Sequence, residues 1–161
     1  MKEINLTQGK VALVDDSDFE ELNKYNWCAQ RIKDKYYAAR QIWNGIDSDV
    51  VWMAQEIMDP SIGLEVDHIN HDTLDNRRCN LRICTREQNS RNRLKSKGNY
   101  TSGFKGVHWN SKSNRWIAQI RWSGKSTHLG SFTDEIQAAL AYDIFAVVLF
   151  GEFACTNFKE V

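Results

Sequence analysis

Proline is almost missing: the 161-residue chain has one. That excludes a proline-rich linker and a collagen-type repeat. The four cysteines, Cys28, Cys79, Cys84 and Cys155, form no C-x2-C pair. The opening MKEINLTQGK has no apolar signal core, so secretion and a disulfide scaffold have no support and reduced thiols are expected. The longest unbroken apolar run, Ile144–Phe150, is too short to cross a bilayer, and no membrane partner is expected. No repeat or low-complexity tract is visible. Hydrophobic residues make up 42% of the chain, enough for a packed core and against global disorder.

Net charge is also absent, with 21 Lys/Arg against 21 Asp/Glu, but the balance hides a segregation. Residues 1–76 hold 7 basic and 15 acidic side chains, a net −8. Residues 77–125 hold 13 and 1, a net +12, and residues 126–161 hold 1 and 5, a net −4. A basic block between two acidic stretches is the electrostatic footprint of a polyanion site, set against the plainer reading of a solvated basic face.

The first sixty residues read as mixed β and turns. Ile4–Leu6 and Lys10–Val14 flank Thr7-Gln8-Gly9 as a hairpin-like pair, and Asp15–Asn23 suits a short helix. Trp27–Ile32 and Tyr36–Trp43 form a second hairpin candidate. Val50–Met58 suits strand or helix equally. Thr85-Arg86-Glu87-Gln88 has the form of a capping box opening a helix to about Leu94. The polar stretch 96–102 reads as a linker between a module at 1–95 and another at 103–161. In the latter, Phe104–Trp109, Arg115–Trp122 and Ser126–Phe132 are strand candidates. Thr133 is an N-cap candidate for a helix to about Phe150, with Ile136, Leu140, Ile144, Val147 and Val148 at helical spacing and Gly151 at its end. The fold class expected is α+β: a mixed N-terminal module, then a three-stranded antiparallel sheet packed on one helix. Alternation puts Trp116, Ala118, Ile120 and Trp122 on the helix side of the middle strand. It leaves Arg115, Ile117, Gln119 and Arg121 facing away. Trp116, Trp122, Tyr142 and Phe145 are expected in the core.

The stretch VDHINHDTLDNRRCNLRICTREQNSRN, within 62–95, carries the chemistry. It contains Asp67-His68, then Asn80 and Asn89 at fixed spacing. A phosphodiester repels nucleophiles, and a hard divalent cation held by oxygen ligands offsets the charge that develops on it. Asp67 and Asn89 offer such oxygens; neutral His68 can take a proton from water. Cys79 and Cys84 with His68 and His71 make a poor zinc set, since C-x4-C lies outside the usual spacing and no second pair follows. The cysteines read better as small apolar residues, and His71 as an ordinary histidine.

This segment resembles the HNH nuclease motif, in the spacing of its homing-endonuclease branch, and the likeness continues through Leu74-Asp75-Asn76-Arg77 and Asn80-Leu81-Arg82. The resemblance implies two strands and a helix around one divalent metal, most simply Mg, with Mn the other candidate. It implies Asp67 and Asn89 as metal ligands, His68 as general base, and Asn80 as the residue that fixes the loop and orients His68. Arg77, Arg78 and Arg82 are candidates for phosphate contact. One departure stands out: relatives often carry His-Arg in the strand before the motif, where VVWMAQEIM has Ala54-Gln55.

Residues 104–158 resemble the Apetala-type, ethylene-response-factor DNA-binding domain of plant transcription factors, also found fused to phage nucleases. The likeness rests on Phe104-Lys105-Gly106-Val107, Trp116-Ile117-Ala118-Gln119-Ile120, Leu129-Gly130-Ser131-Phe132, Ala138-Ala139-Leu140-Ala141-Tyr142-Asp143 and Asn157-Phe158. It implies a sheet laid in the major groove, with Lys105, His108, Arg115, Gln119, Arg121, Ser126 and His128 at the contact positions. Together the resemblances imply a metal-dependent endonuclease that nicks or cuts double-stranded DNA, of phage or intron homing type. It would act in the cytoplasm of a bacterial or phage-infected cell and take no small-molecule substrate. The rival reading is a non-enzymatic DNA-binding regulator with a vestigial HNH fold.

Overall fold

Alternating apolar residues pair the first strands of the computed structural model, which describes residues 1–43 and 45–158. β1 (Lys2–Asn5) and β2 (Val11–Val14) are antiparallel, joined through a 3-10 turn at Thr7–Gly9. Their inward residues Ile4, Ala12 and Val14 are buried. α1 (Asp16–Leu22) follows, with Asp16 and Asp18 in its first turn, where the helix dipole favours negative charge. β3 (Cys28–Ile32), β4 (Lys35–Trp43) and β5 (Ser48–Trp52) form a second antiparallel sheet. The stretch that suited strand or helix equally is both: β5 ends at Trp52 and α2 (Met53–Met58) begins at the next residue. Ala54-Gln55 therefore lies on a helix, not a strand. Met53, Ala54 and Ile57 face a core shared with Leu22, Trp27 and Leu81. Burying a side chain of this size contributes about 1.5–3 kcal/mol.

β6 (Glu65–His68) and β7 (Leu81–Cys84) make a two-stranded antiparallel ribbon, followed by α3 (Arg86–Arg91). The capping box is formed: Thr85 N donates to Gln88 Oε1 at 2.8 Å and Gln88 N to Thr85 Oγ1 at 3.2 Å. The helix ends at Arg91, three residues short of the expected Leu94.

The chain divides into two units, Met1–Asn89 and Ser90–Val161. The stretch expected as a linker, 96–102, belongs to the second unit and is tied into it. Lys95 Nζ donates to the carbonyls of Ser102 and Phe104 at 2.9 and 2.6 Å, Trp109 N donates to Thr101 Oγ1 at 2.9 Å, and Ser102 is 5% exposed. A polar, Gly-containing sequence reads as a linker, and its C-terminal end is hydrogen-bonded to Lys95 and Trp109.

The second unit has an antiparallel sheet in the order β10-β9-β8: β8 (Val107–Asn110), β9 (Arg115–Trp122) and β10 (Lys125–Phe132). The first strand is shorter than the expected Phe104–Trp109. α4 (Glu135–Phe150) packs on this sheet. Its N-cap is Asp134, whose carboxylate accepts from Gln137 N, rather than Thr133. With Gly106 at φ +76°, the strand entry can lie flat on α4: a Cβ there would fall 2.0 Å from the Tyr142 ring.

The face of α4 that meets the sheet differs from expectation. Ala138, Ala139, Tyr142, Asp143 and Ala146 are buried. Ile136, Leu140, Ile144, Phe145, Val147 and Val148 are exposed, Val148 to 76%. The sheet side supplies the bulk, through Trp116, Ile120, Leu129 and Phe132. Alanines on the helix let the two layers approach. Trp122, at the end of β9, is half exposed rather than core. With apolar residues on both sides, the helical stretch Glu135–Phe153 is long and apolar enough to cross a membrane by length and composition; one of its faces is packed on the sheet.

Candidate active site

β6 sets Asp67 and His68 side by side, both 7% exposed, and strand geometry sends consecutive side chains to opposite faces. On one side, Asp67 Oδ2 accepts from Arg82 Nε and Nη2 at 2.9 and 2.7 Å; Arg82 is the residue directly opposite in β7. On the other, His68 lines a cavity of about 440 Å³ together with Tyr37, Gln55, Glu65, Asn76 and Asn89. Tyr37 stands edge-on to His68 at 6.2 Å between ring centres.

Asn76 is 1% exposed, and its Oδ1 lies 3.3 Å from His68 Nε2. Its Nδ2 donates to the Leu74 carbonyl, which fixes the amide so that Oδ1 faces the imidazole. An oxygen acceptor there selects the Nε2–H tautomer and makes Nδ1 the basic nitrogen. Burial pushes the imidazole pKa below its ordinary 6.5, against the opposing pulls of the Asn76 hydrogen bond and the Asp67 charge. The histidine is therefore neutral at neutral pH, as a general base must be.

Asn80 is bonded elsewhere. Its Oδ1 accepts from Asn70 N at 2.9 Å and its Nδ2 donates to the Asp75 carbonyl at 2.7 Å, so it pins the loop between β6 and β7 from inside. Asn76, inside the matched motif, is hydrogen-bonded to His68. β2 braces the same loop: Leu13 N donates to Leu74 O and Asn76 N to Leu13 O, at 2.9 and 2.8 Å.

Asn89, on α3, donates from Nδ2 to Glu65 Oε2 at 2.7 Å. Nothing local in the sequence marks Glu65 as part of the site, yet it lines the same cavity. Ala54 and Gln55 also line the cavity, so the position where relatives often carry His-Arg is part of its wall. Among the described residues, no three His, Cys, Asp or Glu side chains group as a metal cluster. The donors near His68 are carboxylate and amide oxygens, which suit Mg²⁺ or Mn²⁺ with the remaining positions filled by water or phosphate oxygens.

The candidate phosphate-binding arginines of this unit are engaged within it. Arg77 bonds Asp75 through Nε and Nη2 at 2.7 and 2.6 Å, Arg78 bonds Asp18 at 2.7 Å, and Arg82 bonds Asp67. Cys84 is buried, and burial pushes its thiol up to about 11, while Cys79 is exposed.

In the second unit, the strand register collects most of the expected contact residues on one sheet face. Arg121 stands opposite Ser126, Gln119 opposite His128, and Ile117 opposite both His108 and Ser131. Arg115, Gln119, Arg121, Ser126 and His128 are exposed; His108 is half-buried. Lys105 is not part of that face. Its ammonium donates to the carbonyls of Arg91 and Arg93 at 2.8 and 2.6 Å, and burial lowers its pKa. A lysine in a contact pattern reads as a phosphate ligand, but this one serves the fold.

Residues 60–91 match the family model for HNH endonucleases. The chain is 40% identical over 92 residues to an uncharacterized HNH endonuclease of Acanthamoeba polyphaga mimivirus, which covers 57% of this chain and 46% of that protein. It is 37% identical over 59 residues to an ethylene-responsive transcription factor of Arabidopsis thaliana, covering 35% of this chain and 32% of that one. The chain thus spans less than half the length of either relative. Asp67, His68, Asn80 and Asn89 all lie inside the stretch that matches the HNH endonuclease model.

Proposed function

We propose that the chain is a divalent-metal-dependent endonuclease acting on double-stranded DNA, of homing type, with its second unit supplying target binding. The observation that carries this reading is the cavity in which His68, its tautomer set by Asn76, shares walls with Asn89 and Glu65 and lies one residue from Asp67. Asn89 would hold the cation from the cavity wall; Asp67, the second ligand that the resemblance implies, lies on the other face of β6 against Arg82. The cation supplies charge neutralisation at the phosphate and the leaving oxygen. His68 Nδ1 takes the proton from the attacking water, whose oxygen bonds phosphorus as the bond to the leaving oxygen breaks. Asn76 keeps Nε2 protonated throughout, and Asn80 holds the loop that carries Asn76. The exposed row Arg115, Gln119, Arg121, Ser126 and His128 offers hydrogen-bond donors and acceptors at the spacing of a β-sheet, which suits base edges in a major groove. The similarity to a plant transcription factor supports the same assignment.

Incubation with supercoiled plasmid tests it. Mg²⁺ or Mn²⁺ should support conversion to open circle or linear DNA, and EDTA should abolish it. Cleavage that persists after exhaustive chelation would rule out the metal mechanism.

A further inference from the structure

Glu65 and Asn89 stand 24 positions apart in sequence and meet across β6 and α3, Nδ2 to Oε2 at 2.7 Å. Both line the His68 cavity. A primary amide has two unlike ends: the NH₂ only donates and the oxygen only accepts. A carboxylate offers only acceptors. Glu65 therefore decides which way round the Asn89 amide sits: NH₂ toward the carboxylate, Oδ1 at the other end. The reversed amide would set oxygen against oxygen and present to a cation the end that cannot bind one. The backbone of Asn89 is held separately, since its N–H donates to the Thr85 carbonyl at 2.9 Å, one turn below, on a helix whose start is closed by the capping box. The freedom left to Asn89 is its side-chain rotation, and that is what Glu65 restrains.

We propose that Glu65 is a positioning residue whose carboxylate orients the Asn89 amide so that Oδ1 is the end left for a divalent cation. The inference rests on Asn89 being an oxygen ligand. Partners of this kind set the orientation of a ligand, and their loss costs about 10- to 100-fold in metal affinity.

The test is Mn²⁺ alone, titrated into the full chain and followed by the electron paramagnetic resonance signal of free Mn²⁺. The proteins are wild type, Glu65→Leu, Asn89→Ala and the double variant, with circular dichroism and thermal melts to establish folding. Glu65→Leu removes the acceptor and should weaken Mn²⁺ binding about 10- to 100-fold. Glu65→Gln keeps an oxygen that can accept from Nδ2 and should lose less; it carries the comparison if the leucine variant does not fold. In the Asn89→Ala background the Glu65 change should have no further effect, because its action passes through the amide. Unchanged affinity in the single Glu65 variants, with Asn89→Ala impaired, overturns the positioning role and leaves Asn89 as a ligand. An undiminished further loss in the double variant also overturns it, making Glu65 a ligand in its own right. Unchanged affinity in Asn89→Ala removes the ligand reading and this inference with it.

Discussion

Asp75 is 2% exposed, and its carboxylate has to be satisfied within the loop that shapes the site. The Arg77 guanidinium meets it with two hydrogen bonds, the Arg77 backbone N–H with a third at 3.4 Å, and Asn70 Nδ2 with a fourth at 3.1 Å. The Arg77 hydrogen bonds hold its pKa below the usual carboxylate value, outweighing the burial that would raise it. A depressed folded pKa contributes stability that is complete above the unfolded value, near 3.9, and is lost as pH falls through the folded one. Asp75→Asn should cost about 2–3 kcal/mol at pH 7, the worth of a charged hydrogen bond set. It should also remove that part of the acid lability, which urea unfolding at pH 7 and at pH 3 will read. At this scale the sequence marks Asp67-His68 and the two asparagines by their spacing, and the fold brings His68 and Asn89 to one cavity. It does not mark Asn76 and Glu65, because their significance is a hydrogen-bond partner that only the folded loop supplies.

Among the elements, α3 was readable because its start is written locally: Thr85 and Gln88 bond each other's backbone, with no help from tertiary contacts. The orientation of α4 was not. Helical spacing of Ile136, Leu140, Ile144 and Val147 marks an apolar stripe, yet which stripe faces the sheet depends on what the sheet brings to the contact. Here the sheet brings indole, phenyl and aliphatic bulk, and the alanines fit beneath it. The same helix buries Asp143 at 0% exposure, where its carboxylate accepts from Asn157 N, Asn157 Nδ2 and Phe158 N at 2.8–2.9 Å. Asn157 in turn bonds both Lys105 N and Lys105 O. Asp143 and the Asn157-Phe158 pair, which carry part of the resemblance, thus close the fold. Asp143→Leu leaves several buried N–H groups without an acceptor, each costing about 1–3 kcal/mol. It should lower the melting temperature of the protein sharply, where Gln137→Ala at an exposed α4 position should not.

At the scale of the molecule, the charge segregation of the sequence is partly undone by folding. Arg77, Arg78 and Arg82, from the head of the basic block, pair with Asp75, Asp18 and Asp67 of the acidic stretch. Sequence charge counts cannot foresee such pairs, which span up to 60 positions. The exposed cations Arg115 and Arg121 remain on the sheet face of the second unit. If Arg121 reads a base edge, Arg121→Ala should cost about 1–3 kcal/mol and relax preference at one position. If it meets phosphate alone, binding should weaken evenly across sequences and the salt slope fall by about one. Gel shifts at several salt concentrations, on matched and scrambled duplexes, separate the two. The mixed α+β class and the strands and helix of the second unit followed from period-two and helical patterns.

The central claim is that His68 is a base for hydrolysis and not a support for the fold or for DNA binding. The most direct measurement compares wild type with His68→Ala on supercoiled plasmid in Mg²⁺, with duplex affinity measured on the same preparations. Cleavage should fall roughly a hundred- to ten-thousand-fold, the usual worth of a general base, with affinity and melting temperature close to wild type. Cleavage and affinity falling together, or cleavage unchanged, would contradict it.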